Sequence, residues 1–259
     1  MNLPADLVGL LNEKAREYSR PEYIPLDPVS VPHLFETPED IEISGFLTAT
    51  ISWGQRPTII KNAEKLVGLM PGGPANFLTG AGEDELISFL PFVHRTFNGY
   101  DAIAFLIRLQ RIYRELGGLK TLFESLFREE GEMKGVLIRF REEFFRGCDP
   151  GRQGRHLSDV ARNSAAKRLN MFLRWMVRDD GNGFDFGLWK GIPPSALMIP
   201  LDLHSGTVAR ELGLLKRTQN DWKAVEELTS VLRELDPLDP VKYDFALFGL
   251  GAYKKLQDG

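Results

Sequence analysis

Seven cations fall within the 28 residues from Gly151 to Arg178: Arg152, Arg155, Arg162, Lys167, Arg168, Arg174 and Arg178, against Asp159 alone, a net of +6. Lys167 is the one amine among them. A neutral amine attacks electrophilic carbon, whereas a guanidinium stays protonated and serves for phosphate contact. Asp202 stands 35 positions later, at the head of a helical run. An aspartate there accepts backbone N–H bonds, feels the helix dipole and stays ionised near neutral pH, so it can stabilise developing positive charge or orient an attacking group. Each has a plainer reading. Lys167 can belong to a solvated cationic helix face, and Asp202 can be only a helix cap.

The elements that must position these residues are helical. On a wheel of 100° per residue, Ala165, Leu169, Phe172, Leu173 and Met176 share one face of a helix expected over Ala161 to Arg178. Asn163, Lys167, Met171, Arg174 and Arg178 lie opposite. Asp202 opens a helix that stops at Gly213. Upstream, helices are predicted over residues 3–18, from the Thr37 cap and Pro38 to about Trp53, from Pro57 to about Met70, and over 84–90, 100–116, 119–128 and 132–145. Downstream they are predicted over 221–235 and 241–256. Period-2 alternation is never sustained, so the fold class is all-α, and the absence of a fixed repeat removes solenoids.

Composition sets the outer bounds. With 259 residues, 43% hydrophobic and 26% charged, the chain is sized for a globular core. The longest uncharged stretch, Leu66 to Gly82, is broken by Pro71, Pro74 and five glycines, so no spanning helix and no membrane partner are expected. The amphipathic start carries no secretory pattern, which gives a cytoplasmic expectation. The single Cys148 excludes an internal disulfide and any zinc or iron–sulfur site built from several thiolates. The overall charge of −4 argues against nucleic acid only on average, because the +6 segment can form one basic face.

The run Ile199-Pro200-Leu201-Asp202-Leu203-His204, continuing to Leu212-Gly213, resembles the proline-valine-aspartate-x-histidine pattern of the helix-hairpin-helix DNA glycosylase superfamily. Those enzymes are all-α and two-lobed and excise damaged bases. The resemblance implies that Asp202 is the catalytic carboxylate. Members that also cut the strand carry a lysine upstream, and Ser164-Ala165-Ala166-Lys167-Arg168-Leu169-Asn170-Met171-Phe172-Leu173-Arg174-Trp175 is similar in place, with Lys167 at the match. Two features depart from the usual pattern. No glycine-bearing hairpin turn precedes the lysine, where Ser158 to Ser164 stand instead, and the lysine-to-aspartate interval is long. Both are similar to the archaeal 8-oxoguanine DNA glycosylase branch. The closest overall resemblance is to an uncharacterised bacterial family related to that branch.

By the same resemblance, Thr50-Ile51-Ser52-Trp53-Gly54-Gln55-Arg56 is similar to an early glutamine-containing turn that shapes the base pocket. Trp53 would stack on an extruded base, Gln55 would read its edge and Arg56 would touch backbone, with Met171 and His204 as further substrate contacts. As a sequence alone, the same segment is a helix end with a glycine stop. Arg162, Arg168, Arg174 and Arg178 are the expected contacts to the DNA backbone. Trp175 and Trp189 are expected in the core; Phe184, Phe186 and Trp189 have a second reading as pocket lining. The Phe245 to Ala252 run reads as a closely packed helix rather than a phosphate loop. His33, His94 and His156 are too scattered to propose a metal.

The implied function is a base-excision glycosylase and AP lyase acting on an oxidised purine such as 8-oxoguanine in double-stranded DNA, without a cofactor. Its cleft would lie between a lobe of residues 41–202 and a second lobe of 1–40 plus 203–259. The alternative is a non-catalytic helical module binding DNA or RNA, and a weaker one is a protein-interaction scaffold.

Overall fold

The computed structural model describes residues 3–179 and 181–257. It is 65% helix and 2% strand, which makes the protein all-α. Its helices, in order, are α1 (Ala5–Tyr18), α2 (Pro38–Thr50), α3 (Arg56–Gly68), α4 (Pro74–Gly80), α5 (Glu83–Ile87), α6 (Gly99–Glu115), α7 (Gly118–Glu130), α8 (Met133–Phe144), α9 (Lys167–Val177), α10 (Leu203–Glu211), α11 (Trp222–Leu235) and α12 (Tyr243–Gln257). The proline-rich stretch before α2 forms three short 3₁₀ turns. The strand signal absent from the sequence is nearly absent from the fold: Val93–His94 pairs antiparallel with Phe97–Asn98, and that is the one sheet among the described residues. Among those residues no helix is long and apolar enough to cross a membrane.

The chain divides into two compact units, one of Met1–Tyr23 with Asp159–Gly259 and one of Ile24–Ser158. These boundaries differ from lobes breaking at 41 and 202. They put Lys167 and Asp202 in one unit together with both end helices.

In the unit of Ile24–Ser158, α2 is the central rod. Thr37 caps it by accepting from Asp40 N at 3.3 Å, and every residue from Ile41 to Thr50 is buried. Phe46 on α2 lies 6.4 Å from Phe105 of α6 and 5.9 Å from Phe140 of α8, and Phe123 of α7 stacks on Phe140 at 4.3 Å. The buried Glu42 accepts from the Tyr113 hydroxyl at 2.9 Å, so the charge on this apolar rod is bonded inside the core.

In the other unit, α9 is the central rod, with all of Leu169 to Val177 buried, including Trp175. Trp189 packs edge-on against Phe172 at 5.3 Å, and Phe184 against Phe245 at 4.8 Å. Trp189 and Phe184 are therefore core residues and do not line a pocket mouth; Phe186 is half-buried. The end helices meet through a glycine: a Cβ at Gly249 of α12 would lie 2.0 Å from Tyr18 Cδ2 of α1. That contact fits the close-packed reading of the Phe245 to Ala252 run.

One helix start is corrected. Residues 161–166 do not join α9. Asn163 and Ala166 adopt left-handed conformations with φ of 65° and 49°, and these break the helix so that Lys167 becomes its first residue. Periodicity alone cannot see this, because Ala165 and Ala166 suit a helix by type.

Candidate functional site

Lys167 and Asp202 come from two elements of one unit. Lys167 opens α9, and the turn before it is bonded to the start of α11. Trp222 N donates to the Asn163 carbonyl at 3.1 Å, Asn163 Nδ2 donates to Asp221 Oδ2 at 2.8 Å, and Ser164 bridges Asp221 in antiparallel fashion. Asp221 also caps α11 by accepting from Ala224 N at 3.1 Å, and it pairs with Arg217. The Arg217 bond first, then the Ala224 amide and the Asn163 amide, outweigh burial and hold its carboxyl far below the usual range.

Asp202 is the cap of α10. Its Oδ1 accepts from His204 N and Ser205 N, each at 2.9 Å, and lies 3.2 Å from the Ser205 hydroxyl, which in turn accepts from Asp202 N at 3.0 Å. This is a reciprocal cap with serine in the place usually held by glutamate. The second oxygen, Oδ2, lies 3.2 Å from Lys167 Nζ. The Lys167 and Asp202 side chains keep 33% and 22% of their surface open to solvent, so the pair is sheltered yet reachable. The first turn of a helix favours anions over cations; Lys167 therefore stands against the local field of α9, with Asp202 as its counter-charge. For Asp202, burial pushes the carboxyl up, but the Lys167 charge and the bonds from Ser205 and Lys167 outweigh it, leaving the group below the ordinary carboxylate range. The arrangement is an amine beside a fixed, ionised carboxylate at the head of two helices.

The cationic face opposite the apolar one is not a solvated face. Arg174 and Arg178 are each only 4% exposed. Arg174 pairs with Asp244 and, at 3.3 Å, with Asp185; Arg178 pairs with Asp185 at 3.0 Å and Asp239 at 2.8 Å. The Arg174 guanidinium also lies 4.2 Å from the Phe245 ring centroid. Both arginines are therefore corrected from DNA-backbone contacts to the interior ties of α9. The wheel missed this because their partners sit in the loop after α9, in the turn between α11 and α12 and at the start of α12. Arg168 is half-buried, and burial pulls its guanidinium down to about 10, which leaves it charged at neutral pH. Arg162 fits the expected role best, with 89% of its side chain exposed and an ion pair to Asp159 at 3.6 Å. Met171, one turn beyond Lys167, is buried, whereas His204 is exposed.

Trp53, Gln55 and Arg56 belong to the other unit. Gln55 is exposed at the head of α3, where its side chain makes no cap bond. Arg56 reaches the Leu26 carbonyl at 3.5 Å. Trp53 is half-buried, near-parallel to His156 at 5.9 Å and edge-on to His94 at 5.0 Å, so part of its ring is already covered. His94 Nε2 donates to the Trp53 carbonyl at 3.1 Å while Nδ1 accepts from Asn62 at 2.9 Å; this bonding assigns the neutral Nε2–H form. Burial first, with Arg95, lowers its pKa against the raising effect of the Trp53 and Ile51 carbonyls. Two histidines that looked scattered thus flank one tryptophan. Among the described residues no group of three or more His, Cys, Asp or Glu could hold a metal ion.

Sequence reasoning missed Ser205, Asn220 and Asp221. The Asp-Leu-His-Ser and Asp-Trp runs are helix-cap spellings that point to Ser205 and Asp221; Asn220 carries no such signal.

The fold and site define an all-α protein with a lysine–aspartate pair at the junction of two helix N-termini. The chain belongs to the family described as "Protein of unknown function (DUF2400)", whose model matches residues 27–253. No curated protein and no solved structure matches the chain.

Proposed function

We propose that the protein is a base-excision DNA glycosylase of the helix-hairpin-helix type with associated AP-lyase activity, acting in the cytoplasm on an oxidised purine such as 8-oxoguanine in duplex DNA. The observation that supports this reading is the 3.2 Å separation of Lys167 Nζ and Asp202 Oδ2, with both groups open to solvent. In the proposed reaction Lys167, once its ammonium proton has passed to Asp202, attacks C1′ of the damaged nucleotide. The C1′–N9 bond breaks and its electron pair leaves with the base, which takes up a proton. Ring opening gives a Schiff base between Nζ and C1′. Loss of a C2′ proton then expels the 3′ phosphate by β-elimination, and water releases the amine. Asp202 accepts the proton that the amine sheds and offsets positive charge developing on the sugar. The exposed Arg162 supplies a phosphate contact.

The test is borohydride trapping on duplex oligonucleotides carrying 8-oxoguanine or an abasic site. The expected result is a covalent adduct that disappears in Lys167→Ala and persists in Lys190→Ala, an exposed lysine that pairs with Asp179. Duplex binding with no adduct on any lesion overturns the enzymatic reading in favour of a non-catalytic binder.

A further inference from the structure

We infer that the adjacent residues Asn220 and Asp221 are positioning residues that brace the Lys167–Asp202 pair, one holding each side. The chemistry of this inference rests on the lyase reading above; its geometry does not.

Asp221 holds the lysine side. It takes the Asn163 side chain and bridges Ser164, which fixes the turn that ends at Lys167. Asn220 holds the aspartate side. Its Nδ2 donates to the Asp202 carbonyl at 2.9 Å, an oxygen that also accepts the helical bond from Gly206 N at 2.9 Å. The other end of the same amide is engaged too: Arg210 Nη2 donates to Asn220 Oδ1 at 2.5 Å, while Arg210 Nε donates to the Arg217 carbonyl at 2.7 Å. A flipped amide would set donor against donor at Arg210, so the orientation is determined.

The seat for Asn220 is cut into α10 by a glycine. A Cβ at Gly206 would lie 2.7 Å from Asn220 Oδ1 and 3.0 Å from Arg210 Nη1. Glycine weakens a helix interior, and here the close approach of Asn220 accounts for its presence. With Oδ1 of Asp202 held by its own helix and its main-chain carbonyl held by Asn220, the direction of Oδ2 is left no freedom. Two consecutive residues thereby tie together segments that are 35 positions apart in the chain.

Two variants test this from opposite sides. Asn220→Leu keeps the volume and removes the amide; Gly206→Ala keeps the amide and evicts it, with a residue that helices favour. Single-turnover cleavage of an abasic-site duplex should fall roughly ten- to a hundredfold in both, with the duplex Kd changed by less than about twofold, since misplacement of reacting groups acts on the chemical step. Independently of activity, the Asp202 carboxyl resonance, followed by NMR against pH, should titrate closer to an ordinary aspartate in both variants as the Lys167 contact loosens. If both folded variants titrate like the wild type, the brace is overturned whatever the rates do. If the wild type itself cleaves nothing while the titration moves in both variants, the lyase reading falls and the brace stands.

Discussion

Asp202 divides its carboxylate between two tasks: Oδ1 accepts the amides of His204 and Ser205 at 2.9 Å, and Oδ2 meets Lys167 Nζ at 3.2 Å. The first task is structural and the second is chemical, and substitution can separate them. Asparagine caps a helix about as well as aspartate, so Asp202→Asn should change unfolding free energy by less than about 0.5 kcal/mol, whereas Asp202→Ala should lose about 1 kcal/mol. Both should lower single-turnover lyase rates by about 100-fold or more. Denaturant melts set beside cleavage rates check the split; a parallel loss in the two quantities for Asp202→Asn would mean the charge serves the fold alone.

The acid side of the stability curve follows from the same residue. The folded-state pKa of Asp202 is lowered, so its contribution is fully present above the unfolded value near 3.9 and is lost as pH falls through the lower folded value. Wild type should therefore exceed Asp202→Asn at pH 6 by a margin inside that bound of about 0.5 kcal/mol, and lose it below about pH 4. His94 acts earlier. Buried as the neutral form, it contributes stability above its unfolded pKa near 6.5, which fades as pH drops below that value. Urea midpoints between pH 7 and 5 should slope less in His94→Gln than in wild type.

Arg174 and Arg162 should part company. Arg174→Ala takes a buried guanidinium away from both Asp185 and Asp244, which costs about 3–5 kcal/mol, and its effect on DNA binding should track unfolding. Arg162→Ala should leave thermal stability within about 0.5 kcal/mol while reducing the salt dependence of duplex affinity by about one counterion. Calorimetry and salt titrations together check the pair.

Ala166 holds φ at 49° with its side chain buried, a conformation that penalises a Cβ. Ala166→Gly should raise the unfolding free energy by up to about 1 kcal/mol, the left-handed penalty being offset in part by glycine's greater unfolded entropy. A lower melting temperature would mean that packing of the Ala166 methyl outweighs the backbone term.

The sequence made α10 legible to the residue, because Asp202 at its head and Gly213 at its end are local signals that act through the backbone of their own helix. The lysine–aspartate pairing came from motif resemblance, and the geometry agrees with it. What stayed hidden was nonlocal. Arg174 and Arg178 look like a wet face until Asp185, Asp239 and Asp244 are brought beside them. The start of α9 depended on left-handed turns at residues with no glycine to announce them. The unit boundaries depended on α1 meeting α12 through Gly249, a contact between the two ends of the chain.

That last contact has a temporal meaning during synthesis. Residues 24–158 are continuous, so their unit can close as soon as they leave the ribosome, while the unit that carries Lys167 needs α1, made before them, and α12, made after them. The helix holding the amine thus waits, its apolar face uncovered, until α12 has been made. Nascent chains halted short of α12 should expose α9 to chaperones.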